Sequence, residues 1–143
     1  MKQIVMTLYL LWGTLQDVKE KKISVTYLKI GALLSFLYLL WEIWNKNMRG
    51  KEVMLSLLPG VIFLLLSKLT KEKVGVGDGF VFLVIGICLG SSMTWMVCQL
   101  GLILSSVYSL LILLLKRGNR ESQIAFIPFI WLAHFLLWSL KYG

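Results

Sequence analysis

Six stretches of almost unbroken apolar sequence divide this chain, and they limit its fold more than any other feature. They cover residues 4–15, 25–44, 53–69, 74–89, 93–115 and 124–140. Apolar runs of about 18 residues or more mark helices that cross a bilayer. A bilayer admits only helices or closed barrels, and these runs lack the polar–apolar alternation of barrel strands. The expected fold is therefore all-α, a polytopic membrane protein of about six transmembrane helices. Hydrophobic residues make up 58% of the chain and mean hydropathy is +0.80, which leaves no polar stretch for a soluble domain. A single membrane domain over residues 1–143 is expected. The first run follows Lys2 as a signal peptide would, but Gln16, Asp17 and Val18 give no small-residue cleavage site, so it reads as the first spanning helix.

The formal charge of +8 would suggest nucleic acid in a soluble chain, but here the cations lie between apolar runs and carry topological information instead. Lys19, Lys21, Lys22, Lys68, Lys71, Lys73, Lys116, Arg117 and Arg120 fall in the first, third and fifth connections, nine in all. Lys2, Lys46, Arg49, Lys51 and Lys141 give five on the other side. The positive-inside rule places the odd-numbered connections in the cytoplasm and both termini outside. Trp41, Trp44, Trp95 and Trp138 fall near the outer ends, as an interfacial belt requires, whereas Trp12 and Trp131 lie deeper and read as packing residues. Cys88 and Cys98 form no CxxC pair and read as small buried residues; no metal and no cofactor is expected.

Of seven acidic residues, five have ordinary settings: Glu20, Glu72 and Glu121 in basic connections, Glu42 and Glu52 toward the outer side. Asp17 and Asp78 differ. Each stands where an apolar run meets a cytoplasmic connection, and an ionisable group at the edge of hydrocarbon marks a functional site. The topology brings both to the same membrane face. Paired carboxylates suit aspartic proteolysis: one, ionised, takes a proton from water, and the other, protonated, polarises the scissile carbonyl. Gly75, Gly77 and Gly79 surround Asp78 and offer an approach for a substrate backbone. Two structural readings compete: Gly75 and Gly79 have a helix-packing spacing, and Asp17 could pair with Lys21 one helical turn on.

Gly75-Val76-Gly77-Asp78 resembles the GxGD signature of membrane aspartic proteases, and the order of elements resembles the bacterial type IV prepilin peptidases within that group. In that family an aspartate after the first core helix opens a D-x5-I-P-N stretch, matched here from Asp17 to Ile23. A second lies in GxGDxK, matched at Gly75 to Asp78, and an I-P-F element before the last helix is similar to Ile127-Pro128-Phe129. The chain departs from the pattern at Ser24 and Val25, where the family has Pro-Asn, and at Phe80, where it has lysine. The resemblance implies an aspartic endopeptidase, without the methyltransferase segment of bifunctional members. It would sit in the bacterial cytoplasmic membrane and cut the basic leader from prepilin or pseudopilin-like membrane proteins, with Asp17 and Asp78 catalytic. Its partners would be that substrate and membrane lipid, with no nucleic acid. A catalytically inert scaffold and a small ion-coupled transporter are the alternatives; transporter sites cluster at the bilayer midplane, where neither aspartate is expected.

The first run spans only about 18 Å of helix at 1.5 Å per residue, well short of a hydrocarbon core of about 30 Å. Either the bilayer thins there or the helix continues through Asp17 toward Lys22. His134, the single histidine, reads as a packing or hydrogen-bonding residue, and Gln99, Ser105 and Ser106 as contacts between helices.

Overall fold

The computed structural model describes residues 2–20, 24–46, 50–71, 76–115 and 126–142. These form six helices: α1 (Lys2–Glu20), α2 (Val25–Trp44), α3 (Gly50–Leu69), α4 (Val76–Leu89), α5 (Ser91–Leu114) and α6 (Ile127–Tyr142). There is no strand among the described residues. By length and composition α2, α3 and α5 can each cross a membrane; α4 and α6 are shorter apolar helices of 14 and 16 residues. Large side chains such as Leu33, Phe36, Trp44, Leu65 and Leu114 lie open on the outside. Apolar faces on this scale suit lipid and would aggregate in water. The chain is an all-α membrane protein.

Of the two ways to lengthen the first run, the structure has the second: α1 continues through Asp17 to Glu20. Its 19 residues reach about 28 Å, close to the thickness of a hydrocarbon core.

Helix α4 is the hub. It packs against α1, α2, α3 and α5, while α6 closes the bundle against α1 and α5. Its tightest partner is α3, and glycine is the reason. A Cβ on Gly86 would collide with the Ser56 carbonyl oxygen, one on Gly79 would lie 2.8 Å from Leu64, and one on Gly60 would lie 2.8 Å from the Leu83 backbone nitrogen. The paired positions run in opposite directions, so α3 and α4 are antiparallel. Pro59, inside α3, cannot donate to the carbonyl of Leu55 four residues earlier. The indole Nε1 of Trp95 on α5 donates to that same Leu55 oxygen at 3.2 Å. Trp95, expected as an interfacial anchor, thus also repairs a gap left by proline.

Between α4 and α5 the chain reverses at Gly90, whose φ of +88° lies in the region glycine tolerates best. The hydroxyls of Ser105 and Ser106 do not bridge helices as expected. Both donate to Leu102 O in their own helix, which satisfies them without a partner, and Gln99 is exposed. Trp12 packs as expected, its ring edge-on to Tyr27, though it is also 38% exposed.

Candidate active site at the buried aspartate

Asp17 lies near the end of α1 and is only 7% exposed. Its Oδ2 accepts the backbone N–H of Ile127 at 3.2 Å, and the N–H of Phe126 also points to the carboxylate. These are N–H groups at the start of α6, which have no carbonyl partner inside their own helix. Pro128, next in the chain, has no N–H to satisfy. Asp17 therefore caps a helix 110 residues further along, its carboxyl facing the positive end of the α6 dipole.

Three rings hold that junction still. Phe126 stacks on Phe63 of α3 with centroids 5.6 Å apart and leans on Phe82 of α4 at 6.1 Å; Phe63 and Phe82 meet at 4.8 Å. Phe82 is fully buried and Phe63 nearly so, so the backbone that meets Asp17 is fixed by core packing.

Asp78 occupies the first turn of α4 and is half-buried. Because α1 packs on α4, with Asp17 near the end of α1 and Asp78 in the first turn of α4, the two aspartates come to the same end of the bundle.

The glycines divide. Gly77 is half-buried next to Asp78. Gly79 is buried, and Leu64 of α3 fills the space beside it, so helix packing accounts for this glycine and no room is left there for a substrate backbone. Gly75 lies outside the described residues, as does Lys21, the alternative partner for Asp17. Ser24 acts locally. Its hydroxyl accepts the Tyr27 N–H at 3.2 Å, capping α2, and donates to Gln16 Oε1 at 3.1 Å. Phe80 is 43% exposed, so the ring standing in the motif's lysine position is not core filler.

A second feature, below the aspartates, was not anticipated from the sequence. Tyr9 of α1 and Tyr27 of α2 stack with centroids 4.3 Å apart and planes 8° from parallel. Each hydroxyl donates to the other residue's carbonyl oxygen, Tyr27 to Tyr9 at 3.1 Å and Tyr9 to Tyr27 at 3.4 Å. The tip of Tyr27 rests on Gly13, and that of Tyr9 on Gly31. The signal was present as a short internal repeat, Tyr-Leu-x-x-Gly, at residues 9–13 and 27–31.

His134 is fully buried, and its Nε2 lies 3.2 Å from the Thr7 hydroxyl, far along α6 from Asp17. Among the described residues no three metal-ligating side chains gather.

Comparison of the chain with protein-family models, with curated proteins and with solved structures gives no match.

Proposed function

We propose that this protein is an intramembrane aspartic endopeptidase that cleaves a membrane-anchored precursor at the cytoplasmic face. The observation that supports the reading is that Asp17 and Asp78, far apart in sequence, lie at the same end of a lipid-facing bundle. The resemblance of residues 75–78 to the GxGD signature supports it, and it names the substrate class as prepilin-like proteins with a basic leader before an apolar helix.

We give the two aspartates different roles. Asp17, whose Oδ2 accepts a backbone N–H at a helix N-terminus, serves as the base. Asp78 carries the proton. Asp17 takes a proton from water as the oxygen attacks the scissile carbonyl carbon, and Asp78 gives its proton to the carbonyl oxygen, forming a gem-diol. Collapse breaks the C–N bond: the amine leaves with the proton held by Asp17, and a diol proton returns to Asp78. No covalent intermediate is needed.

The test is co-expression with a prepilin-like precursor. Asp78→Asn and Asp17→Asn each abolish processing while the protein still accumulates in the membrane. Processing that continues at the parent rate in either variant overturns the reading.

The cap on α6 favours a second reading, in which Asp17 is purely structural and the chain is an inert scaffold of the same fold. That reading expects no cleavage of any prepilin-like precursor by the parent, together with a loss of stability in Asp17→Ala and none in Asp78→Asn.

A further inference from the structure

In the last turn of α3 a polar side chain has nothing to bond. Ser67 is 1% exposed, and its Oγ has no hydrogen-bond partner. The other buried serine and threonine hydroxyls among the described residues are satisfied in place. Ser35, Ser56 and Thr94 donate to carbonyl oxygens three or four residues earlier, at 2.9, 2.7 and 2.6 Å. Ser67 makes no such bond to its own helix. A hydroxyl buried without a partner costs free energy, so its place in the bundle points to a group that arrives from outside.

Helix register puts this hydroxyl level with the aspartates. Phe63 of α3 meets Phe82 of α4 with ring centroids 4.8 Å apart, and the two helices run antiparallel. Residues four apart lie on one face of a helix, about 6 Å along its axis. Four residues on from Phe63 is Ser67, and four residues back from Phe82 is Asp78. Both steps lead to the same end of the bundle, so Ser67 and Asp78 share the next layer. The packing of Leu64 on Gly79 fixes the same register. Phe126, stacked on Phe63, leads into the backbone that caps on Asp17, so Asp17 borders that layer.

A substrate supplies what Ser67 lacks. An apolar helix is cut only where it has unwound, and unwinding frees carbonyl oxygens where little water is present to receive them. We infer that the Ser67 hydroxyl donates to the scissile carbonyl oxygen, the same oxygen that Asp78 protonates. That oxygen has two lone pairs and takes both donors. Ser67 keeps its proton throughout, and its bond strengthens as charge gathers on the oxygen on the way to the gem-diol. The inference rests on the proteolytic reading and adds a third group to its site.

Cleavage of a prepilin-like precursor by the full chain in proteoliposomes, with kcat and KM measured separately, tests it. Ser67→Ala lowers kcat by about ten- to a hundredfold, the effect of losing one donor to a developing oxyanion, and leaves KM within about twofold of the parent. Its unfolding temperature is no lower than the parent's, because the hydroxyl removed has no partner to lose. Ser67→Cys, a weaker donor of similar shape, gives an intermediate kcat. A parent-like kcat in Ser67→Ala, with Asp17→Asn and Asp78→Asn inactive, overturns this inference and leaves the proteolytic reading standing. A lowered unfolding temperature in Ser67→Ala also overturns it, since the hydroxyl would then be structural. A parent chain that cuts no precursor removes both.

Discussion

Asp17 caps α6 and, in the proposed mechanism, serves as the base; its substitutions separate the two. Asp17→Ala leaves two N–H groups at the start of α6 buried without an acceptor, which costs about 1–3 kcal/mol in stability, read as a lowered unfolding temperature in detergent. Asp17→Asn keeps an acceptor oxygen and loses less stability, yet on the proposed mechanism it abolishes cleavage because the amide cannot take a proton. Asp78→Asn, with no such cap to break, leaves stability within about 0.5 kcal/mol of the parent. Because one carboxyl must be ionised and the other protonated, cleavage falls on both sides of an optimum. Acid protonates Asp17 and alkali strips Asp78, so the rate profile is bell-shaped. A flat profile across the acidic and neutral range would contradict the paired roles. At the clasp, Tyr27→Phe keeps the stacked ring and drops one hydrogen bond, a change of about 0.5–1.5 kcal/mol. A double-mutant cycle with Tyr9→Phe reports whether the two bonds act together.

Between helices, small residues decide how close the backbones come. Gly86→Ala drives a methyl group into the Ser56 carbonyl, which is backbone and cannot swing aside, so α3 and α4 must part at a cost of about 1–3 kcal/mol. Gly101→Ala is the matched control. Its nearest neighbours are 3.7–3.9 Å away, ordinary contact, and the change gains up to about 1 kcal/mol from helix propensity. Thermal unfolding of the two variants should move in opposite directions. Trp95→Phe leaves the Leu55 carbonyl without its donor and costs about 0.6–1.7 kcal/mol, the scale of hydrogen bonds between membrane helices. Helix existence was legible in the sequence because unbroken apolar runs carry it. The glycines near Asp78 were harder to read. Packing and substrate access both require a missing side chain, and only the position of Leu64 assigns Gly79 to packing. Ser105 and Ser106 misled because a hydroxyl in an apolar run looks unsatisfied until its own helix is seen to supply the carbonyl.

At the scale of the whole molecule, the sequence put both aspartates at one face by counting connections, and the bundle gathers them at one end. The support of Asp17 could not be read, since no pattern along the chain links it to Phe126 and Ile127, whereas the tyrosine clasp left a trace in the repeat at residues 9–13 and 27–31. Orientation is open to direct measurement. Single cysteines at Lys19 and Trp44 should be labelled by an impermeant thiol reagent from opposite sides of the membrane, Lys19 from the cytoplasm. Labelling of both from one side would remove the two-sided topology. The bond between Asp17 and Ile127 also has a consequence for biosynthesis. A ribosome adding roughly 5–20 residues per second needs about 5–20 s to make the 110 residues that separate them. Until then the nascent chain holds both acids but has no α6 to orient the first. On the proposed mechanism, hydrolytic competence switches on only after the sixth helix enters the membrane, protecting the emerging polypeptide and its neighbours from premature cutting.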